Sequence, residues 1–240
     1  LGLQNSRFAN SSGLPDDGHY MSVRDLAILA EHLREDFPEY FPMFKETEFT
    51  WEDIRQTNRN PLLYMDIGAD GLKTGHTSEA GYCLTATAER DGRRVVVAFT
   101  GLDSKKQREV VARQLVDYAF REFVQLTPIK EGQSLVRVAV SEGTSPTILL
   151  GAFEGMRLTL PSRDAEKLEA RTSFDSPIAA PIRKGDVVGQ YQLVAGSQTI
   201  GEYPLVALED VARAGFFART IDNISIMLGI AEFPSPEIID

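Results

Sequence analysis

The sequence is poor in cysteine and in long apolar runs. Cys83 is its single cysteine, which excludes an intrachain disulfide framework without identifying the cellular compartment. We expect the Cys83 side chain to pack in the core, and a reactive thiol is the less favoured alternative. No apolar run approaches the roughly 18 residues of a membrane span. The first ten residues, LGLQNSRFAN, have neither the basic start nor the apolar centre of a secretion signal.

Basic residues are also in deficit. The 35 acidic and 25 basic residues leave a formal charge of −10, and the basic ones are scattered, so most of the surface would repel a phosphate backbone and nucleic acid is excluded as a partner. The three histidines, His19, His32 and His76, lack the close spacing of a zinc motif, so we expect no metal cofactor. The 240 residues, 42% of them hydrophobic, can bury a sizeable core, and this length favours two domains over one.

The first half has the pattern of a mixed α/β domain. Ser22 followed by Asp25 resembles a capping box, and apolar residues at helical spacing predict a helix from Ser22 to Asp36, ended by Pro38. The runs 82–89 and 94–101 are mostly apolar or β-branched. Asp91-Gly92 lies between them and predicts an antiparallel hairpin.

A second helix is predicted after this hairpin. Ser104 can cap it, and it should end near Leu126, before Pro128. Its core-facing stripe is expected to comprise Val111, Leu115, Tyr118 and Phe123.

The pattern of apolar and turn-forming residues changes after Pro128. Short segments such as LVRVAV, TILLG, MRLTL and VVGQYQLV are bounded by Gly, Pro, Ser or Asp and show no helical period, which predicts a small all-β domain. Because this stretch has no histidine and its charges are spread out, spacing or interaction is the favoured role, with catalysis as the alternative.

An amphipathic helix is predicted near the C-terminus. Two interpretations of its apolar face remain open: contact with a membrane surface, and ordinary packing on its own protein. The Phe216-Phe217 pair suits an interface, but few basic residues are present to favour anionic lipids. The predicted stripe comprises Phe217, Ile221, Ile224, Leu228 and Ala231.

The stretch DGLKTGHT places Lys73 between Gly71 and Gly75, just before the hairpin. A bare Lys-Thr-Gly triplet is a weak signal, and Lys73 could be a solvated lysine at a strand end. In the functional interpretation Lys73 supplies a positive charge for an anionic substrate or for lowering the proton affinity of a neighbouring group. Thr74 offers a hydroxyl donor, and Gly75 leaves room beside the backbone. An extended substrate could then pair with the strand as an added β-strand.

Long stretches of the sequence resemble a known family. LGLQNSRFANSSGLPDDGHYMSVRDLAILAEHL, IRQTNRNPLLY and DGLKTGHTSEAGYCLTATAERDGRRVVVAFTG are similar to the D-alanyl-D-alanine carboxypeptidases among the low-molecular-mass penicillin-binding proteins, the type 5 group. The resemblance continues from TPIKEG to GFFARTID and covers essentially all 240 residues. It implies part of an α/β (α+β) domain of the serine β-lactamase and transpeptidase type in residues 1–126. An all-β sandwich domain in residues 127–209 and an amphipathic helix with a tail in residues 210–240 would follow.

The resemblance also implies which residues form the site. Lys73, Thr74 and Gly75 would contact the terminal carboxylate of the substrate or of a β-lactam. The backbone N–H of His76 would form half of an oxyanion hole, which is favoured over a role of its ring as general base. Arg108 matches a family arginine that helps to hold the carboxylate, and Arg59 in NRN is a second candidate. For both arginines a structural ion pair is the alternative.

Two further motifs of the family, Ser-x-x-Lys with the nucleophile and Ser-x-Asn, are missing from all 240 residues. By the family's order both would precede Leu1, where the chain begins without an initiator methionine. We therefore expect the chain to be a fragment or a processed product, inactive on its own and partnered by the missing N-terminal segment.

The intact enzyme would remove the terminal D-alanine of peptidoglycan pentapeptides through an acyl-enzyme and would bind β-lactams. It would need no cofactor and would lie on the periplasmic side of the inner membrane, held to the surface by its last helix. The alternatives are a β-lactamase and a non-catalytic fragment that binds the cell wall.

Overall fold

The computed structural model describes residues 1–230 and 232–239. The chain divides into two compact units, Leu1–Glu122 and Phe123–Asp240.

The first unit combines a β-sheet with helices, as the pattern of the first half predicts. Its central sheet has the strand order β5-β6-β7, with all neighbours antiparallel. Short 3₁₀ helices at Phe41–Lys45 and Pro61–Tyr64 precede β5. The elements in chain order are β1 (Ser6–Arg7), β2 (Tyr20–Met21), α1 (Val23–Asp36), β3 (Glu48–Trp51), β4 (Ile54–Thr57), β5 (Ala69–Thr77), β6 (Gly81–Arg90), β7 (Arg93–Leu102) and α2 (Lys105–Glu122).

The start of α1 confirms the predicted cap but only half of the predicted box. The Ser22 hydroxyl accepts a hydrogen bond from the Asp25 amide at 3.1 Å. The Asp25 carboxylate does not accept a hydrogen bond from the Ser22 amide, which donates to the Asn5 carbonyl. It accepts bonds from the Asn5 amide at 2.8 Å and the Ser6 hydroxyl at 2.6 Å, and the bond from Ser6 keeps the pKa of Asp25 below its usual value. Asp25 therefore ties the first residues of the chain to α1.

The hairpin formed by β6 and β7 is confirmed with its turn. Asp91 and Gly92 have positive φ angles of 52° and 73°, as a tight two-residue hairpin turn requires. Because β6 then pairs with β5 along nearly its whole length, this local turn helps to determine where the Lys-Thr-Gly strand lies.

The predictions for α2 need two corrections. Its cap is as expected, since the Ser104 hydroxyl accepts a hydrogen bond from the Gln107 amide at 3.1 Å. The helix ends at Glu122 and not near Leu126, because the chain continues as a strand from Phe123 that pairs with a later segment. The fully buried row on α2 lies beside the predicted stripe. Val111 and Leu115 of that stripe pack half-buried against the same core, whereas Tyr118 is 49% exposed and Phe123 lies beyond the helix. The buried row comprises Arg108, Ala112 and Val116.

A compact apolar core joins α2 to the sheet. Ala112 and Val116 are fully buried against β6 and β7, and Leu62 of the second 3₁₀ helix is 1% exposed in the same cluster. This packing sets the position of the first turns of α2 relative to β6, and Arg108 lies in those turns.

The second unit is rich in β-structure, as predicted for the residues after Pro128. One sheet has the order β12-β14-β15-β10-β9-β13, with β16 also pairing with β9, and β8 pairs with β11. All four segments that we singled out in the sequence lie in strands. The elements are β8 (Phe123–Ile129), β9 (Ser134–Ser141), β10 (Thr147–Gly151), β11 (Met156–Pro161), α3 (Ser162–Ala165), β12 (Leu168–Phe174), β13 (Ile178–Ala179), β14 (Val187–Ala195), β15 (Gln198–Ala207), α4 (Phe216–Met227) and β16 (Glu237–Ile238).

Helix α4 exposes large apolar side chains. Phe217 is 81% exposed and Met227 is 86% exposed. Ala231, the last member of the predicted stripe, lies outside the described residues. Within residues 1–230 and 232–239, no helix is both long enough and apolar enough to cross a bilayer.

Candidate active-site strand

The Lys-Thr-Gly motif lies on β5, at the edge of the three-stranded sheet. Among the described residues β5 pairs with β6 alone, in a register that places Lys73 opposite Thr85 and Gly75 opposite Cys83. An edge strand offers its free backbone groups to an added strand. The position of β5 therefore permits the strand-addition mode that the motif suggested.

The three motif residues differ in exposure. Lys73 is exposed, and its Nζ donates a hydrogen bond to the carbonyl of Thr74 at 2.7 Å. Thr74 is 8% exposed. A Cβ atom placed on Gly75 would lie 3.6 Å from Cβ of Cys83, an ordinary contact. Packing within this chain therefore does not demand glycine here, whereas the close approach of a ligand backbone would.

His76 is exposed beside the motif and contacts an aromatic neighbour that sequence reasoning did not single out. Its ring centroid lies 4.1 Å from that of Tyr82, the residue opposite it on β6. Tyr82 in turn lies beneath Arg108, whose guanidinium carbon is 5.7 Å from the centroid of the Tyr82 ring. The structure thus connects the end of the motif strand to α2 through one tyrosine.

Arg108 is a buried cation. It is 7% exposed, and its Nη2 donates to the carbonyl of Arg59 at 3.2 Å. Its Nε is buried without a hydrogen-bond partner, and no carboxylate pairs with it among the described residues. Burial lowers the pKa of Arg108, and the nearby positive charge of Arg59 acts in the same direction.

Arg94 of the same unit shows the usual arrangement for a poorly exposed arginine. Its side chain is 20% exposed and forms ion pairs with Asp70, at 2.7 Å, and with Glu89. Since a buried charge is costly unless it is paired, the unpaired state of Arg108 needs an explanation. An anion that binds at this point would supply the missing partner.

Arg59 has an exposed side chain, and its carbonyl receives the bond from Arg108. The structure therefore brings Arg59 and Arg108 together, although 49 positions separate them in the sequence. Arg108 and His76 both contact Tyr82, so this tyrosine links three of the candidate residues, Arg59, Arg108 and His76. A pocket on α2 lies elsewhere, lined by Val111, Gln114, Leu115, Asp117, Tyr118 and Arg121.

Asn60 is a further residue of the site that sequence reasoning missed. Its side chain is fully buried, donates to the carbonyl of Gly71 at 2.7 Å and accepts from the amide of Leu62 at 3.1 Å. It thus fastens the segment that carries Arg59 to the start of β5. An asparagine two positions before a leucine has no distinctive sequence signal, although Asn60-Pro61 suggests the start of a helical turn.

Replacing Asn60 with alanine should lower stability by about 1–3 kcal/mol, because it leaves a buried carbonyl and a buried amide without partners. Thermal unfolding of the intact protein measures the effect, and we expect the melting temperature to fall by several degrees. Gln114→Ala, which truncates an exposed amide on α2, is the control and should leave it nearly unchanged. Equal melting temperatures for the two variants would contradict the role given to Asn60.

Comparison with known proteins finds two matching families. The family described as D-alanyl-D-alanine carboxypeptidase matches residues 1–104, and the one described as the C-terminal domain of penicillin-binding protein 5 matches residues 123–213. The chain is thus similar to the D-alanyl-D-alanine carboxypeptidases. The two matches follow each other along the chain, so both halves of the sequence have counterparts in the same kind of protein.

Individual proteins are similar to the chain over most of its length. The chain is 37% identical over 229 residues to the D-alanyl-D-alanine carboxypeptidase DacA of Escherichia coli, covering 95% of this chain and 57% of that protein. It is 33% identical to DacF of Bacillus subtilis, covering 90% of this chain and 57% of DacF. Among solved structures, penicillin-binding protein 5 of Haemophilus influenzae is 34% identical with a TM-score of 0.73, covering 88% of this chain and 62% of that one. The chain therefore spans a little over half the length of these curated relatives.

Proposed function

We propose that the intact protein carrying this chain is a serine-type D-alanyl-D-alanine carboxypeptidase. The observation that carries the proposal is a Lys-Thr-Gly edge strand connected through Tyr82 to Arg108, a buried arginine that has no acidic partner among the described residues. An edge strand can pair with an extended peptide, and an unpaired buried cation can receive its terminal carboxylate. A peptidoglycan stem peptide ending in D-Ala-D-Ala has both an extended backbone and a terminal carboxylate.

Each motif residue has a role in this proposal. Lys73 provides positive charge beside the reacting serine and the substrate, and the Thr74 hydroxyl donates to the terminal carboxylate. Gly75 allows the peptide backbone to approach. The backbone N–H of His76 stabilises the negative charge that develops on the carbonyl oxygen under attack. Arg108 binds the carboxylate, and Arg59 assists it.

The nucleophile comes from outside this chain, since none of its serines has a lysine three positions later. In the proposed reaction that serine attacks the penultimate D-alanine carbonyl. The peptide bond breaks, terminal D-alanine leaves with a proton on its amine, and water hydrolyses the acyl-enzyme. A β-lactam would acylate the same serine. In this proposal residues 1–126 belong to the catalytic domain, residues 127–209 form a β-sandwich, and residues 210–240 form the helix and tail.

Release of D-alanine from a pentapeptide by the intact protein tests the activity. Intact mass and N-terminal sequencing test the origin of the nucleophile: an upstream segment with Ser-x-x-Lys supports the proposal, and a natural start at Leu1 contradicts it. Rapid turnover of penicillin would favour a β-lactamase. Absence of both D-alanine release and acylation would favour a non-catalytic protein that binds the cell wall.

We further propose that α4 lies on the periplasmic surface of the inner membrane. Phe216, Phe217, Ile221 and Ile224 are each more than half exposed, and a helix that leaves such side chains in water usually has a partner. The ion pair of Arg219 with Glu142, at 3.5 Å, connects α4 to the end of β9 and leaves those apolar side chains outward.

The membrane role predicts that the intact protein floats with liposomes. We expect flotation to fall at least tenfold in the double variant Phe217→Asp and Ile224→Asp, because each substitution places a charge on the inserted face. The double variant Ser197→Asp and Gln198→Asp, at exposed residues outside α4, is the control that adds the same charge away from the inserted face. Unchanged flotation of the double variant would overturn the membrane role and leave the proposed activity untouched.

A further inference from the structure

The aromatic ring of Tyr82 lies against two of the candidate site residues at once. Its centroid is 4.1 Å from the His76 ring and 5.7 Å from the guanidinium carbon of Arg108. The contact with His76 crosses neighbouring strands, whereas the contact with Arg108 joins the sheet to α2. Tyr82 is thus the side chain that touches both the motif strand and the helix carrying the buried cation.

The buried environment of Arg108 strengthens its interaction with the Tyr82 ring. A cation over the face of an aromatic ring within about 6 Å is attracted by the electron-rich face, and the attraction grows where water is excluded. The interaction uses none of the N–H groups of the guanidinium. Apart from the Nη2 bond to the Arg59 carbonyl, no hydrogen bond of the Arg108 side chain is found among the described residues. The ring can therefore hold the guanidinium while N–H donors stay available for a carboxylate.

A carboxylate of this chain could not hold the Arg108 guanidinium and also leave its N–H donors available. It would satisfy the charge, as Asp70 and Glu89 do for Arg94, but it would also occupy the donors. An incoming carboxylate would then have to displace an existing ion pair. An aromatic ring stabilises the charge and leaves this binding capacity free.

We propose that Tyr82 is a positioning residue of the carboxylate site: its ring orients the Arg108 guanidinium toward the substrate and supports His76 beside the motif. This inference rests on the proposed function, because the bound carboxylate is the substrate terminus. Tyr82 itself does not touch the reacting atoms. Its ring, and not its hydroxyl, performs the role.

Kinetics of D-alanine release by the intact protein test the consequence for binding. Tyr82→Leu and Tyr82→Met both remove the ring, and we expect each to raise KM about tenfold with a smaller change in kcat. Tyr82→Phe keeps the ring and should restore KM to within about twofold of the parent. Tyr40→Leu, at an exposed tyrosine outside the site, is the control for loss of a tyrosine. In an Arg108→Gln background, removal of the ring should raise KM no further.

An increase in KM that is equally large in the Arg108→Gln background would overturn the proposal, since Tyr82 would then act independently of Arg108. Loss of function in Tyr82→Phe equal to that in Tyr82→Leu would also overturn it, because the hydroxyl and not the ring would be responsible.

Nitrogen-15 NMR of the arginine side chains tests the positioning without reference to activity. The buried Nε–H of Arg108, identified by its absence in Arg108→Gln, should exchange slowly with water in the parent and in Tyr82→Phe. We expect exchange at least tenfold faster in Tyr82→Leu and Tyr82→Met. Equal rates of Arg108 Nε–H exchange in the parent and in all three Tyr82 variants would overturn the positioning role. If the parent protein releases no D-alanine, the proposed function fails, and this measurement still decides the role of Tyr82.

Discussion

Lys73→Ala should abolish D-alanine release by the intact protein, lowering kcat/KM by roughly a thousandfold or more. Lys73 provides the positive charge of the motif strand, and among the described residues its ammonium group bonds only to the carbonyl of Thr74. The ammonium is therefore free to interact with the reacting serine or the substrate. Because the side chain is exposed and packs little, the melting temperature should stay nearly unchanged. Steady-state kinetics and thermal unfolding of the same preparations measure both quantities.

Two further variants make the result specific. Lys73→Arg keeps the charge but replaces a compact ammonium group with a larger, planar guanidinium group, so an intermediate activity is expected. Lys105→Ala removes an exposed lysine from the first turn of α2 and should retain full activity. Normal turnover by Lys73→Ala would refute the role of the motif strand.

Arg108→Gln should raise KM about 10-fold to 100-fold, the loss expected when a charge-assisted hydrogen bond to a carboxylate is removed. Its effect on stability should be small or favourable. Arg108 is 7% exposed and forms no ion pair in the part of the chain that the structure describes, so the folded protein bears the cost of a buried charge that the variant removes. Function and stability would then change in opposite directions, as expected at a binding site.

Arg94→Gln is the matched control for Arg108→Gln. It breaks the ion pairs with Asp70 and Glu89, so the melting temperature should fall while KM stays close to the parent value. If Arg108→Gln instead lowered stability and left KM unchanged, Arg108 would be a structural residue. The carboxylate site would then have to be sought elsewhere on the strand.

Local chemistry explains the parts of the fold that could be predicted from the sequence. Asp91-Gly92 specifies its own turn, and Ser22 and Ser104 cap helices with their own side chains, so the positions of these elements follow from a few neighbouring residues. The end of α2 could not be predicted in this way. Phe123 leaves the helix because β8 pairs with β11, and that partner begins more than 30 positions later.

The candidate site could likewise be predicted only where its residues are neighbours in the sequence. The Lys-Thr-Gly triplet is contiguous, so a motif could reveal it together with the family resemblance. The apolar stripe predicted for α2 does not include Arg108, whereas the structure buries it in one row with Ala112 and Val116. Its contacts with Arg59 and Tyr82 join positions far apart in the sequence, and no period or cap encodes them. Asn60 was missed for the same reason, since its partner carbonyl belongs to Gly71.

The most direct test is a crystal structure of the intact protein with a bound peptide that ends in D-Ala-D-Ala. The peptide should lie along the free edge of β5 as an added strand, with its terminal carboxylate about 3 Å from the Thr74 hydroxyl and from a guanidinium nitrogen of Arg108. A peptide bound elsewhere, with the Lys73 ammonium in bulk solvent and Arg108 still without an anion, would contradict the account.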